Sequence, residues 1–157
     1  MTKKNIFISG ASRGIGKSMA QHFAKSNFNV VGTSRNNFKF DNDLENLLPI
    51  KLDVTSRNDV KDCFDELKSK NLLPDILINN AGITADQLFL RMSDDDWDNV
   101  INTNLTGTFN LTKIFLKNMI KNKFGRIINI SSISGLMGNP GQVNYSSSKA
   151  ALNGFTK

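Results

Sequence analysis

Short apolar runs and longer amphipathic stretches alternate along the chain. Ile6-Phe7-Ile8-Ser9 is an apolar run that ends in a glycine turn. From Ile15 to Ser26, the spacing of Ile15, Met19, Ala20 and Phe23 predicts a helix. Asn29 to Thr33 and Pro49 to Leu52 read as the second and third strands, and the polar stretch Arg35 to Leu48 leaves room for a short helix. Ser56 caps a further predicted helix carrying Val60, Phe64 and Leu67, and Asp75 to Ile78 predicts the fourth strand. The longest amphipathic stretch starts at Ser93, a suitable N-cap. Asp94, Asp95 and Asp96 follow, where the helix dipole favours negative charge. Trp97, Ile101, Leu105, Thr108, Leu111, Phe115 and Met119 then recur every three or four residues. Gly125 opens a fifth strand, Arg126 to Ile130. After a glycine-rich loop, a last helix begins near Val143, with Ala150, Ala151 and Phe155 on adjoining faces.

Short strands without strict alternation, separated by helices, predict an α/β doubly wound parallel sheet covered on both faces. The 157 residues fit one domain, residues 1–157, with no internal repeat, low-complexity tract or linker. The last residues, Leu152 to Lys157, supply no C-cap and no proline stop, so the chain reads as ending inside a helix. Without a later strand, Ile127, Ile128 and Ile130 would form an unpaired apolar edge. The expectation is a fold truncated after the fifth strand and part of the following helix.

Charge and cysteine content narrow the partners. The net charge is +6, but the basic residues are scattered, so neither a nucleic-acid nor a membrane partner is expected. An anionic ligand or an acidic partner remains open. One cysteine, Cys63, allows no intrachain disulfide and no Cys-rich metal centre, and reads as a buried thiol in a reducing compartment. The first residues lack signal-peptide architecture, and no apolar run approaches the roughly 20 residues of a membrane span. A cytoplasmic location is expected.

The first chemical signal is Ser9-Gly10-Ala11-Ser12-Arg13-Gly14-Ile15-Gly16, between a strand and a helix. Glycines there let the backbone turn sharply and approach a pyrophosphate, while the helix start offers free N–H groups and a positive dipole. A carboxylate at the end of the second strand would hold the ribose hydroxyls of NAD. This chain instead has Thr33-Ser34-Arg35-Asn36 and no carboxylate until Asp41. Arg35 and Arg13 are suited to a 2′-phosphate, which guanidinium binds in a bidentate fork, and this points to NADP(H). The alternative is that both arginines are solvated surface residues.

The second signal is Tyr145-Ser146-Ser147-Ser148-Lys149, whose tyrosine and lysine are one helical turn apart. A tyrosine near its reference pKa of about 10 is a poor acid–base group at neutral pH. A neighbouring ammonium favours the phenolate, as a proton donor to a carbonyl requires. The same spacing also arises in an exposed helix pair. Ser132 lies just past the fifth strand, where its hydroxyl would orient a carbonyl; Ser131 and Ser134 are rival assignments. Asn104 interrupts the apolar stripe of the long helix and needs a partner if buried, whether its role is catalytic or structural.

Gly10-x-x-x-Gly14-x-Gly16, Asn79-Asn80-Ala81-Gly82, Asn104, Ser132, Tyr145 and Lys149 together resemble the short-chain dehydrogenase/reductase family, over the whole chain and in order. Ser9 departs from the usual threonine but keeps the hydroxyl. Within the family, Ala81-Gly82-Ile83-Thr84, Arg91-Met92 and Gly138-Asn139-Pro140-Gly141-Gln142 before Asn144-Tyr145 most resemble the 3-oxoacyl-[acyl-carrier-protein] reductases.

The resemblance implies a Rossmann-type domain and a set of roles. Tyr145 donates the proton, Lys149 supports it and holds the nicotinamide ribose, Ser132 polarises the carbonyl, and Asn104 holds a relay water. Gly10, Ser12, Arg13, Gly14, Ile15 and Gly16 cradle the cofactor, Asp53 and Val54 flank its adenine, and Asn80, Ala81 and Gly82 line the cleft. It also implies reduction of a 3-oxoacyl thioester on an acyl carrier protein, and a homo-oligomer for a full-length member. Lys117, Lys121, Lys123 and Arg126 would suit an acidic carrier, or would merely complement the helix dipole. His22, away from these motifs, reads as structural. Two alternatives stand beside this reading: a catalytically silent fragment that at most binds nucleotide, and a reductase for another carbonyl.

Overall fold

The computed structural model describes residues 3–41 and 44–157. Five parallel strands, β1 (Asn5–Ile8), β2 (Asn29–Ser34), β3 (Leu47–Lys51), β4 (Ile76–Asn79) and β5 (Arg126–Asn129), form one sheet in the order β3-β2-β1-β4-β5. The helices are α1 (Gly14–Lys25), α2 (Arg57–Ser69), α3 (Asp94–Ile101), α4 (Gly107–Lys121), α5 (Ser134–Met137) and α6 (Val143–Thr156).

Alternation along β1 explains why Ile6, Phe7 and Ile8 are all apolar. Phe7 faces one side, into a core with Val31, Leu77, Val60 and Leu67 of α2, and Leu111 and Phe115 of α4. Ile6 and Ile8 face the other, against Val30, Ile78, and Ala20 and Ala24 of α1. The Phe7 and Phe115 rings lie 5.0 Å apart, tilted at 52°. Pro49, which cannot donate to a ladder, is accommodated because β3 is an edge strand. Cys63 is buried in the first core, and desolvation, with a smaller contribution from Glu66, pushes its thiol up to about 12.

Both predicted Ser caps are present. Ser56 accepts from Asp59 N at 3.2 Å, and Ser93 forms a capping box with Asp96. Hydrogen bonds from the Ser93 side chain and backbone hold the Asp96 carboxyl below the usual carboxylate range.

Three expectations are corrected. The stretch between β2 and β3 holds no helix among its described residues; Asn42 and Asp43 lie outside them. The long helix is α3 and α4 joined by a π-helical turn, Asn102–Thr106, and its buried line runs through Val100, Thr103, Asn104 and Gly107. Trp97, Ile101 and Leu105 are only partly covered, because polar and small residues take the inward positions. On α6 the inward face is Asn144, Ser148, Lys149 and Leu152, while Ala150 is exposed. β5 forms the second edge of the sheet, the unpaired apolar edge that its sequence predicts, with Ile128 45% exposed.

Candidate active site

The strand order reverses between β1 and β4. α1 covers one face of the sheet and α4 the other, so the carboxyl ends of these two strands open a crevice. Two adjoining clefts of about 650 and 570 Å³ occupy it, sharing Arg13, Ile15, Asn80, Gly82 and Ile83.

The larger cleft is walled by the glycine turn. Gly10 has φ +70°, and a Cβ there would lie 2.8 Å from Ala81 Cα. A Cβ on Gly16 would collide with Gly10 O, so α1 packs against the turn only because this position is bare. The Ser9 hydroxyl accepts from Asn80 N at 3.1 Å and Ala81 N at 3.0 Å, and Asn80 Nδ2 donates to Ser9 O and Gly10 O at 3.0 Å each. These bonds lock the ends of β1 and β4 together, which is the work of the hydroxyl kept at position 9.

Ser12, Gly14, Ala81 and Val54 line the same cleft, together with Arg35 from the end of β2. Neither Arg13 nor Arg35 forms an ion pair with a carboxylate among the described residues. Asp41, the first acid after Arg35, is held by Lys17 at 2.6 Å. Asp53 does not join the wall. Its carboxylate accepts from Thr55 N at 2.9 Å and Thr55 Oγ1 at 2.7 Å, leaving Leu52 and Val54 to face the cleft.

The residues present fit a dinucleotide. The space beside Gly14 is open, and α1 has no side-chain cap and no acidic residue in its first turn. Thr33 Oγ1, in the cleft lining, is buried with no hydrogen-bond partner among the described residues.

The smaller cleft collects Ser131, Ser132, Tyr145 and Lys149. Its serines differ in what their hydroxyls do. Ser131 Oγ donates to Lys149 O at 2.9 Å and fastens α6, while Ser134 Oγ donates to Gln142 Oε1 at 3.3 Å. Ser132 Oγ only accepts from Ser134 N at 3.2 Å, which leaves its hydrogen for a ligand. Lys149 is buried. Its Nζ donates to Ile130 O at 2.6 Å and stands 5.7 Å from the Tyr145 ring centre.

Burial lowers the Lys149 pKa below its ordinary value of 10.5. Below the folded-state value the ammonium is charged in both states, so its desolvation cost is fully present. Between that value and 10.5 the unfolded chain holds more protons, and stability rises with pH. Urea midpoints of wild type and Lys149→Met should therefore shift in favour of wild type as pH rises from neutral toward 10.5. A pH-independent difference contradicts the burial.

Asn104 lies behind the cleft wall, in the π-helical turn, a distortion common at functional sites. Its Oδ1 accepts from Ile83 N at 2.8 Å, and its Nδ2 donates to Ile83 O at 3.1 Å and Ser148 Oγ at 3.0 Å. Both amide hydrogens and one oxygen lone pair are committed to protein. The side chain thus acts as a bracket between Ile83 and α6.

Sequence reasoning missed Ile83, Thr33, Asn144 and Ser148. The first acts through its backbone and carries no side-chain signal. Asn144 and Ser148 are polar residues on the inward face of α6, a pattern visible once that face is known.

Lys117, Lys121, Lys123 and Arg126 are exposed near the end of α4 and the start of β5. The clefts lie at the carboxyl ends of the parallel strands, so this basic group sits at the opposite end of the sheet.

A switch-point crevice with a glycine cradle, an arginine pair, and a serine, tyrosine and lysine converging on one cleft is the arrangement of a dinucleotide-dependent oxidoreductase. The chain belongs to the short chain dehydrogenase family, whose profile matches residues 4–157. It is 44% identical over 162 residues to the 3-oxoacyl-[acyl-carrier-protein] reductase FabG of Aquifex aeolicus, matching 98% of this chain and 65% of the relative. The FabG proteins of Thermotoga maritima and Escherichia coli are 42% and 40% identical, again over 65% of their length. Among solved structures, a 4-hydroxyisoleucine dehydrogenase complexed with NADH superposes with TM-score 0.90 at 38% identity, covering 98% of this chain and 66% of that one. The chain therefore spans about 65% of the length of the curated relatives it matches.

Proposed function

We propose that this chain carries the cofactor site and proton-donating group of an NADPH-dependent 3-oxoacyl thioester reductase, acting on substrates borne by an acyl carrier protein. The observation that carries the reading is the meeting of Ser132, Tyr145 and Lys149 in a cleft continuous with the glycine cradle. The bound nicotinamide would supply the hydride. Tyr145 gives its phenolic proton to the carbonyl oxygen, Ser132 donates a hydrogen bond to that oxygen, and Lys149 sets the field around the phenol. Asn104 holds Ile83 and α6 in register. Gly10, Ser12, Gly14, Ile15, Gly16, Asn80, Ala81 and Gly82 hold the cofactor, with Arg13 and Arg35 on a 2′-phosphate and Val54 beside the adenine. Asp53 contributes by shaping the turn that presents Val54.

The names of the relatives support the carrier-borne thioester, and the buried thiol of Cys63 fits a cytoplasmic setting. A partly exposed apolar stripe on α3 and α4 (Trp97, Phe109, Leu116 and Ile120) supports a homo-oligomer. Among the described residues no helix is long and apolar enough to cross a membrane.

The test is loss of nicotinamide absorbance when the purified chain meets NADPH and an acetoacetyl thioester. Turnover is expected with thioester present and none without it. A folded chain that binds NADPH and never oxidises it overturns the proposal for this chain.

A further inference from the structure

Ser148 separates Tyr145 from Lys149 in sequence, yet it faces away from the clefts and is fully buried. Its hydroxyl donates to Tyr145 O at 2.7 Å and accepts from Asn104 Nδ2 at 3.0 Å. A serine bonding back to its own helix is ordinary. This one also receives an amide from a different element, and that amide clamps both backbone groups of Ile83, a residue lining both clefts. A continuous run of hydrogen bonds thus joins the cleft wall beyond β4 to the turn of α6 that carries Tyr145.

We propose that Ser148 is a positioning residue, which sets where Tyr145 stands relative to the cofactor wall by tying the Tyr145 carbonyl, through Asn104, to Ile83. The proposal rests on the reading of Tyr145 as proton donor. Without the hydroxyl, one Asn104 N–H would be buried with no acceptor. The amide would turn to find one, and either Ile83 or the first turn of α6 would shift. Other bonds hold α6 in the Ser148→Ala variant: Asn144 Nδ2 donates to Ala85 O at 3.0 Å and Asp96 O at 3.1 Å, and Ser131 donates to Lys149 O. The helix should therefore stay docked while its register against Ile83 loosens. A displacement near 1 Å costs about a hundredfold in a positioned reaction.

The chain has one tyrosine and one tryptophan, so Tyr145 and Trp97 each give a single set of ring signals in NMR spectra of selectively labelled protein. Ser148→Ala is expected to move or broaden the Tyr145 signals, with and without NADPH, while the Trp97 signals stay put. Ser148→Thr, which keeps the hydroxyl, should restore them. Where turnover is measurable, kcat should fall about tenfold with KM for NADPH unchanged. A folded Ser148→Ala chain whose Tyr145 signals match wild type overturns the proposal. If that variant does not fold, Ser148→Cys, of similar size but weak in hydrogen bonding, carries the same comparison. Failure of the reductase reading looks different: NADPH would leave the wild-type Tyr145 signals unmoved, while the cofactor-free comparison still decides the role of Ser148.

Discussion

Tyr145→Phe is expected to lower thioester-dependent NADPH oxidation by about 10²–10⁴-fold and to leave NADPH affinity nearly unchanged. The variant removes one oxygen and keeps the ring, so α6 loses no packing. Tyr145 belongs to the smaller cleft, with Ser132 and Lys149, whereas the glycine turn and Arg35 wall the larger one. Loss of the phenol therefore separates proton donation from nucleotide binding. Single-turnover absorbance and cofactor fluorescence, measured on the same preparations, resolve the two effects. Equal turnover by wild type and variant would mean that another group supplies the proton. Ser132 would then be the next residue to replace, since its hydroxyl hydrogen has no protein acceptor among the described residues. A parallel fall in affinity would instead mean that Tyr145 holds the cofactor, and the division between the clefts would fail.

The parts of this molecule that were legible in the sequence are those where one residue type meets one physical demand. The turn after β1 needs bare positions because Gly10 and Gly16 sit within contact distance of neighbouring backbone, and glycine is a visible letter. Strand and helix order followed from apolar runs and from Ser56 and Ser93 at helix starts. Reading failed where the inward face is polar. Thr103, Asn144 and Ser148 are buried, the last two because they tie α6 to Ala85, Asp96 and Asn104, and a search for apolar spacing takes such residues as outward. It therefore began the core face at Trp97, Ile101 and Leu105, although the same stripe is buried where it continues through Thr108, Leu111, Phe115 and Met119. The π-helical turn leaves no compositional mark either, although it is what carries Asn104 behind Ile83. The Asp53 carboxylate is engaged locally: it accepts from the residue two positions on, as an Asx turn does, and nothing in the sequence marks that bond beyond the Asp-x-Thr spacing.

Arg35→Asp should reverse the cofactor preference, from NADPH in the wild type to NADH in the variant. Arg35 stands at the end of β2, in the wall of the cleft that holds the glycine turn, where the adenosine ribose of a dinucleotide would lie. A charge-assisted bond to phosphate contributes about 1.5–3 kcal/mol, or roughly 10- to 150-fold in Kd, before any repulsion from the new carboxylate. That carboxylate would also accept from the ribose hydroxyls of NADH, a role for which the cleft offers no acid among the described residues, Asp41 being engaged by Lys17. Arg13 lines the same cleft and keeps part of the phosphate affinity, so Arg35→Ala should weaken NADPH less than Arg35→Asp and gain nothing for NADH. The similar dehydrogenase structure holds NADH, which makes the wild-type preference itself the first measurement. Fluorescence titrations with both cofactors at two salt concentrations give it, because the 2′-phosphate contact adds a salt dependence that NADH lacks. Tighter binding of NADH by the wild type would leave Arg35 a solvated surface residue and remove the 2′-phosphate from the proposal. Salt-sensitive NADPH binding, lost in Arg35→Asp, would make the arginine at the end of β2 the residue that chooses the cofactor.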